Sequence, residues 1–251
     1  MMIANEKTAE ALPEGMPHGV ETQTIPCGGS TSQLLMLPCA DRDDTELLDR
    51  ARAWVESSPD SAEKGLLISL QGAQVLWSPR RAAVLAPADR LSAVRPALIE
   101  FSLHEAALRE IEREIESGWP DLETDSPLAF DFDSKAMGRR AELAQRFQRI
   151  IGLRARLARL TPQVHRPLIH PPTVASQVSE RLRERTRLID RLEFVAGQLE
   201  VFERVYDLCG QRSSDYMQSR KGHTLEIIII IVLGVQLILY VLELLSHLTA
   251  K

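Results

Sequence analysis

The feature that most constrains the fold is a long apolar run near the C-terminus, from Leu225 to Leu245. The run has 21 residues, and its only strongly polar members are Glu226, Gln236 and Glu243. A helix of about 20 apolar residues crosses the roughly 30 Å hydrocarbon core of a bilayer. Isoleucine is β-prone in water, but a bilayer favours the helix because the helix pairs its backbone polar groups internally. The sequence therefore predicts one transmembrane helix over residues 225–245.

The expected surroundings of this span differ along its length. Leu225 opens it, Ile227 to Ile231 form an unbroken isoleucine run, and Leu245 closes it. Gln236 lies near the middle, where an unpaired amide is costly, so we expect Gln236 to face another helix. The alternative is a helix buried in a soluble protein. It is disfavoured because the rest of the chain offers too little apolar surface to surround such a helix.

Charges beside the span indicate its orientation. Arg212, Arg220 and Lys221 precede it, whereas only His247 and Lys251 follow it. Basic residues are enriched on the cytoplasmic side of membrane proteins, so the N-terminal body is expected in the cytoplasm. The first residues carry no apolar signal-peptide core. We therefore expect a single-pass membrane protein that is inserted by its tail.

Composition and motifs argue against several functional classes. The formal net charge is -5, whereas a nucleic-acid-binding protein usually has a basic excess. Cys27, Cys39 and Cys209 are widely spaced and form no zinc or redox motif, so free thiols in a reducing compartment are expected. Nucleotide-binding glycine loops and the acyl-transfer motif are missing from the sequence. The sequence thus predicts no catalytic residue, cofactor or metal site, and no enzyme.

The N-terminal half has the pattern of a small α+β domain. Residues 1–30 are polar and without periodicity, so they are expected to be disordered. A domain is predicted over residues 31–120. Its strands are expected at 33–37, 66–70, 73–77 and 82–86, and its helices at about 44–57 and 89–117. Gly118 and Pro120 are expected to end the second helix.

The second half is predicted to be helical from 134 to 221. One helix is expected over about 134–160, and a longer one after Pro172. The longer helix carries apolar residues at alternating steps of four and three, which is a heptad pattern. We call these six residues the seam: Leu188, Leu192, Val195, Leu199, Phe202 and Tyr206. The fold class is therefore α+β, continued by a long antiparallel helical hairpin or coiled coil. The seam could pair within the chain or between two copies.

Residues 170–245 resemble the required-for-meiotic-nuclear-division family. The resemblance rests on a Pro171-Pro172 junction, the segment LEVFERV at 199–205, a basic pair, and LEIIIII at 225–231. The end motif of that family resembles Leu-Glu-Trp followed by isoleucines, and Ile227 stands at the Trp position here. The resemblance implies an α+β domain, helices, a membrane anchor and a non-enzymatic role as an oligomeric scaffold. Mitochondrial members are associated with support of translation.

Three functional hypotheses follow. The first is a membrane-anchored scaffold or adaptor that forms homo-oligomers through its long helices and binds a protein partner not identified by the sequence. The second is a ligand-sensing or enzymatic α+β domain tethered to the membrane. The third is a protein that binds anionic lipid through the arginine-rich helix at 134–160, since basic side chains near a membrane attract acidic headgroups.

Overall fold

The computed structural model describes residues 20–27, 30–39, 44–58, 65–166 and 173–249. A five-stranded sheet near the N-terminus is followed by long helices, as the α+β prediction requires. The strands are β1 (Glu21–Cys27), β2 (Ser30–Pro38), β3 (Leu66–Leu70), β4 (Ala73–Trp77) and β5 (Arg81–Ala86). The helices are α1 (Thr45–Glu56), α2 (Ala88–Asp125), α3 (Arg140–Val164), α4 (Val174–Arg185) and α5 (Leu188–Thr249). Short 3-10 turns at Ser126–Ala129 and Ala136–Arg139 lie between α2 and α3.

The sheet has the strand order β1-β2-β5-β4-β3. Neighbouring strands are antiparallel except for β2 and β5, which are parallel. The β3–β4 hairpin turns through Gln71 and Gly72, whose φ angles are 47° and 82°. Two consecutive positive φ angles are the geometry of the two-residue turns that match strand twist. This local turn fixes the pairing of β3 with β4.

Helix α1 covers one face of the sheet. Asp44 caps its N-terminus, since the Asp44 carboxylate accepts a hydrogen bond from the Leu47 amide at 3.0 Å. Three helical residues at spacings of four, Leu47, Ala51 and Val55, are buried. They belong to one apolar core with strand residues Leu35, Leu37, Leu76, Ala83 and Leu85. The amphipathic pattern of α1 is thus satisfied by the sheet.

The chain divides into two compact units, and each combines two separate stretches of sequence. The first unit comprises Met1–Ser117 and Leu153–Leu199. The second unit comprises Gly118–Gly152 and Glu200–Lys251. The sheet therefore shares its unit with helical residues 153–199, whereas the sequence pattern predicts a separate hairpin at 134–221. The division arises because helices that are distant in sequence pack together within each unit. The periodicity of a helix shows which of its faces is buried but not which helix covers that face.

Two predictions about the ends of elements are wrong. The expected disordered segment 1–30 contains β1, because Glu21–Cys27 pairs along its whole length with β2. Helix α2 does not end at Gly118 and Pro120 but continues to Asp125. The ring of Phe202 lies 3.2 Å from the point where a Cβ of Gly118 would be. Close packing at this glycine, within the second unit, compensates for its low helix propensity.

The long helix expected after Pro172 is also interrupted. Helix α4 ends at Arg185 and α5 begins at Leu188. Between them, Arg187 has a φ of 52°, the left-handed conformation that commonly follows a helix C-terminus. The amide of Thr186 donates to the Leu182 carbonyl at 2.9 Å, which closes the last turn of α4. An arginine at a position that favours glycine is not a helix-stop signal in sequence, so the break was not predicted.

Candidate functional site

The last part of α5 is long and apolar enough to span a membrane. From Gln218 to Leu239 every residue whose burial is described is exposed, except the half-buried Gly234. None of the most apolar stretch is buried inside the chain. Leu225, Ile227 and Ile231 have 60%, 46% and 59% of their surface exposed. The described part of the chain therefore provides no protein cover for this segment.

Gln236 is exposed, so the described part of the chain does not supply the helix that its amide was expected to face. Leu245 lies within α5, but its side chain is outside the described residues. Just before the isoleucine run, His223 Nδ1 lies 3.5 Å from a carboxylate oxygen of Glu226. Polar side chains thus mark the beginning of the apolar segment.

The six seam residues are buried within the single chain. None has more than 3% of its surface exposed. Leu188, Leu192, Val195 and Leu199 are buried in the first unit, and Phe202 and Tyr206 in the second. The ring of Phe202 packs edge-on against Trp119, with 4.9 Å between ring centroids. The seam is therefore used to fold one chain, and pairing of two copies as a coiled coil stays a prediction.

A buried carboxylate, which no sequence pattern marks, organises the second unit. Asp125, at the end of α2, has no exposed surface. Its two carboxylate oxygens accept hydrogen bonds from Arg139 and Arg146, and Tyr206 donates to Oδ2 at 3.3 Å. The thiol of Cys209 lies 3.7 Å from the backbone carbonyl oxygen of Asp125. We call this group the Asp125 cluster.

The Asp125 cluster has the chemistry of a structural clamp. Burial and the nearby Asp125 charge raise the pKa of Tyr206. Burial, followed by the same charge, raises the pKa of Cys209 to about 11. Both side chains are therefore protonated near neutral pH. Tyr206 then donates to the Asp125 carboxylate, and Cys209 donates to the Asp125 backbone carbonyl. A buried carboxylate with two guanidinium partners is satisfied, and a protonated buried thiol is a poor nucleophile.

The first unit contains a second charged cluster on α2 and α5. Glu105 has only 1% of its surface exposed, and its Oε1 accepts from Arg109 and Arg191 at 2.7 Å each. Arg191 also forms a two-pronged pair with Glu112, at 2.8 and 2.6 Å. Among the described residues, the other Glu105 oxygen has no hydrogen-bond partner. Two carboxylates thus fix the guanidinium groups of Arg109 and Arg191.

These two arginines line a cleft of about 730 Å³ in the first unit. Arg185 lines the same cleft, and its guanidinium has no hydrogen bond or ion pair with any of the described residues. Phe194, with 67% of its surface exposed, adds an aromatic side chain. The remaining lining residues are Leu66, Trp77, Ser78, Pro79, Glu112, Thr186, Arg187 and Asp190. The cleft combines arginines, two carboxylates, hydroxyl groups and apolar surface.

Comparison with known proteins adds no functional assignment. No protein-family model matches this chain, and no curated protein matches it either. The resemblance to the required-for-meiotic-nuclear-division family therefore stays a prediction from the residues at 170–245.

Proposed function

We propose that this protein is a non-enzymatic scaffold or adaptor held at a membrane by the apolar end of α5. The observation that carries the proposal is the uncovered surface of residues 225–239. A core helix of a soluble protein would be mostly buried, whereas none of this stretch is buried in its own chain. Exposure of such a long, mostly apolar stretch to water would be strongly unfavourable. A bilayer is the environment that removes this cost.

Oligomerisation is part of the proposal, and its contacts are expected on α5 outside the seam. The seam is already buried within the chain, so it offers no free surface. Gln236 lies between apolar residues, and its side chain has no partner in the described part of the chain. Hydrogen bonds between such amides on neighbouring helices stabilise helix association in membranes. We therefore propose that α5 spans pair side by side, with Gln236 at the contact.

The alternative of lipid binding by the arginine-rich helix α3 has weaker support. Arg146 pairs with Asp121 and Glu142 as well as with Asp125. Arg156 pairs with Glu110 and Glu114 at 3.1 and 2.6 Å. Guanidinium groups held by carboxylates have less charge to offer to headgroups, so we do not base the membrane association on α3.

Alkaline carbonate extraction tests the anchor. The full chain is expected to stay in the membrane pellet, and a chain ending at Gly222 is expected to be released. A double substitution, Ile229→Asp with Ile230→Asp, should also release the full-length chain because charge at the span centre is costly. The matched control, Ile229→Leu with Ile230→Leu, should stay in the pellet. Release of the unmodified chain would show that the apolar segment is covered by protein.

A second function, recognition of a small anion by the first unit, is favoured by Arg185, whose guanidinium lines the cleft without a partner among the described residues. Arg109 and Arg191 are already paired with Glu105 and Glu112, so the charge available to an anion comes from Arg185. Arginine is well suited to bind carboxylate or phosphate. Thermal unfolding of the full chain in detergent, with and without inorganic pyrophosphate, tests this idea. Arg185→Ala should abolish a stabilising shift. Arg181→Ala on the same helix should not, because Arg181 pairs with Glu184 outside the cleft.

A further inference from the structure

The connection between α2 and α3 contacts α5 just before the part of α5 whose side chains are exposed. We call residues 126–139 the connector. The ring centroid of Phe132 lies 6.4 Å from that of Tyr216, and Arg140 Nη1 lies 3.2 Å from the sulfur of Met217. Beyond Met217 the residues of α5 with described burial are exposed up to Leu233. The connector and the first residue of α3 thus contact α5 shortly before the apolar segment begins.

The spacing along α5 places the connector close to a bilayer surface. Eight residues separate Met217 from Leu225, which is about 12 Å at the rise of an α-helix. The headgroup layer on each side of the hydrocarbon core is about 5–7 Å thick. If the core begins near Leu225, a gap of only about 5 Å is left between Met217 and the outer edge of the headgroups. A single side chain of the connector can bridge this gap.

Phe130 is the side chain best placed to do so. With 79% of its surface exposed, it is the most exposed large hydrophobic residue in the described part of the chain. The backbone around it is fixed, because Ala129, Phe132 and Ala136 are buried. The Phe130 amide donates to the Pro127 carbonyl at 3.1 Å. A single exposed apolar side chain is common on protein surfaces. Phe130 is set apart by its place on an ordered turn of the connector, two residues before Phe132, which packs beside Tyr216 of α5.

We propose that the connector is a second membrane contact, in which Phe130 enters the interfacial layer beside the α5 anchor. This inference rests on the proposed anchor. The exposed charges near Phe130 are of both signs, with Asp131 and Asp133 opposed by Lys135 and Arg140. The contact is therefore apolar in character and does not require anionic lipid. Its effect is to fix the rotation of the second unit about α5 against the membrane.

Fluorescence quenching by brominated lipid tests the proposal. The full chain is reconstituted in phosphatidylcholine vesicles with brominated acyl chains, with Phe130→Trp as the test variant. Val201→Trp is the control, because Val201 is also exposed and belongs to the second unit but lies about 36 Å before Leu225 along α5. Trp54, Trp77 and Trp119 are common to both variants. The added emission of Phe130→Trp should fall at least twofold more than that of Val201→Trp.

Carbonate extraction of the same vesicles separates the two claims. Retention of the protein with equal quenching of both variants would overturn the connector contact and leave the anchor intact. Release of the protein would overturn the anchor and the connector contact together. A second variant, Phe130→Asp, gives an independent readout. It should stay in the pellet, and trypsin should cleave after Lys135 several-fold faster than in the unmodified protein. Unchanged cleavage would count against the proposal.

Discussion

Replacing Asp125 with alanine should strongly destabilise the second unit. The substitution removes the carboxylate that accepts hydrogen bonds from Arg139, Arg146 and Tyr206. Loss of one partner of a buried ion pair typically lowers the free energy of unfolding by about 3–5 kcal/mol. Arg139 and Arg146 retain 34% and 23% exposure and keep Glu142 as a partner. Water can therefore partly solvate these two arginines, so we expect the free energy of unfolding to fall by about 3 kcal/mol.

Hydrogen exchange of the full chain in non-denaturing detergent measures this loss where it should occur. Protection of amides in Glu200–Met217 reports the opening of the second unit, and a loss of about 3 kcal/mol corresponds to an exchange rate about 150-fold higher. Asp131→Ala is the control, because Asp131 is exposed and should change stability by less than about 0.5 kcal/mol. Equal protection in the two variants would refute the role given to Asp125.

Three further predictions concern single side chains. Leu199→Asp should unfold the chain rather than only separate oligomers, because Leu199 is fully buried in its own chain. Circular dichroism and light scattering test this, and a folded monomer would contradict it. Gly197→Ala should stabilise α5 by about 0.5–1 kcal/mol, because its Cβ would meet nothing. Gly118→Ala should stabilise α2 by less, because its Cβ would lie 3.2 Å from the buried ring of Phe202; thermal unfolding compares the two variants. The raised pKa of Cys209 means that the unfolded chain loses this proton first. Stability should therefore fall as pH rises from the ordinary thiol value of 9.0 towards about 11, and Cys209→Ser should flatten the fall in urea titrations at each pH.

Hydropathy and turn patterns predicted four of the five strands described and the apolar segment. The runs at 66–70 and 73–77 coincide with β3 and β4, because Gln71-Gly72 forms the local turn that joins them. The apolar surface of 225–239 is likewise a local property of the sequence. Strand β1 was not predicted because its residues lack a clear alternation, and pairing with β2 supplies the missing stabilisation.

The charged clusters could not be predicted because their members are far apart in sequence. Asp125 is separated from Tyr206 by 81 residues, and Glu105 from Arg191 by 86. Each residue alone has the pattern of a solvated helix surface. The seam shows the opposite case, since its spacing predicted the buried face correctly but could not tell whether that face packs within the chain or between two copies.

The division of the sequence between two units has a consequence for the order of folding. Residues 118–152 leave the first unit and return to it, so completing that unit requires closing a loop of 35 residues. A flexible loop of this length opposes closure by about 3 kcal/mol. The Asp125 pairs span only 14 and 21 residues, so they can form early and shorten the effective loop. The carboxylate that holds the mature second unit together would thereby act, during folding, as a nucleus for the first.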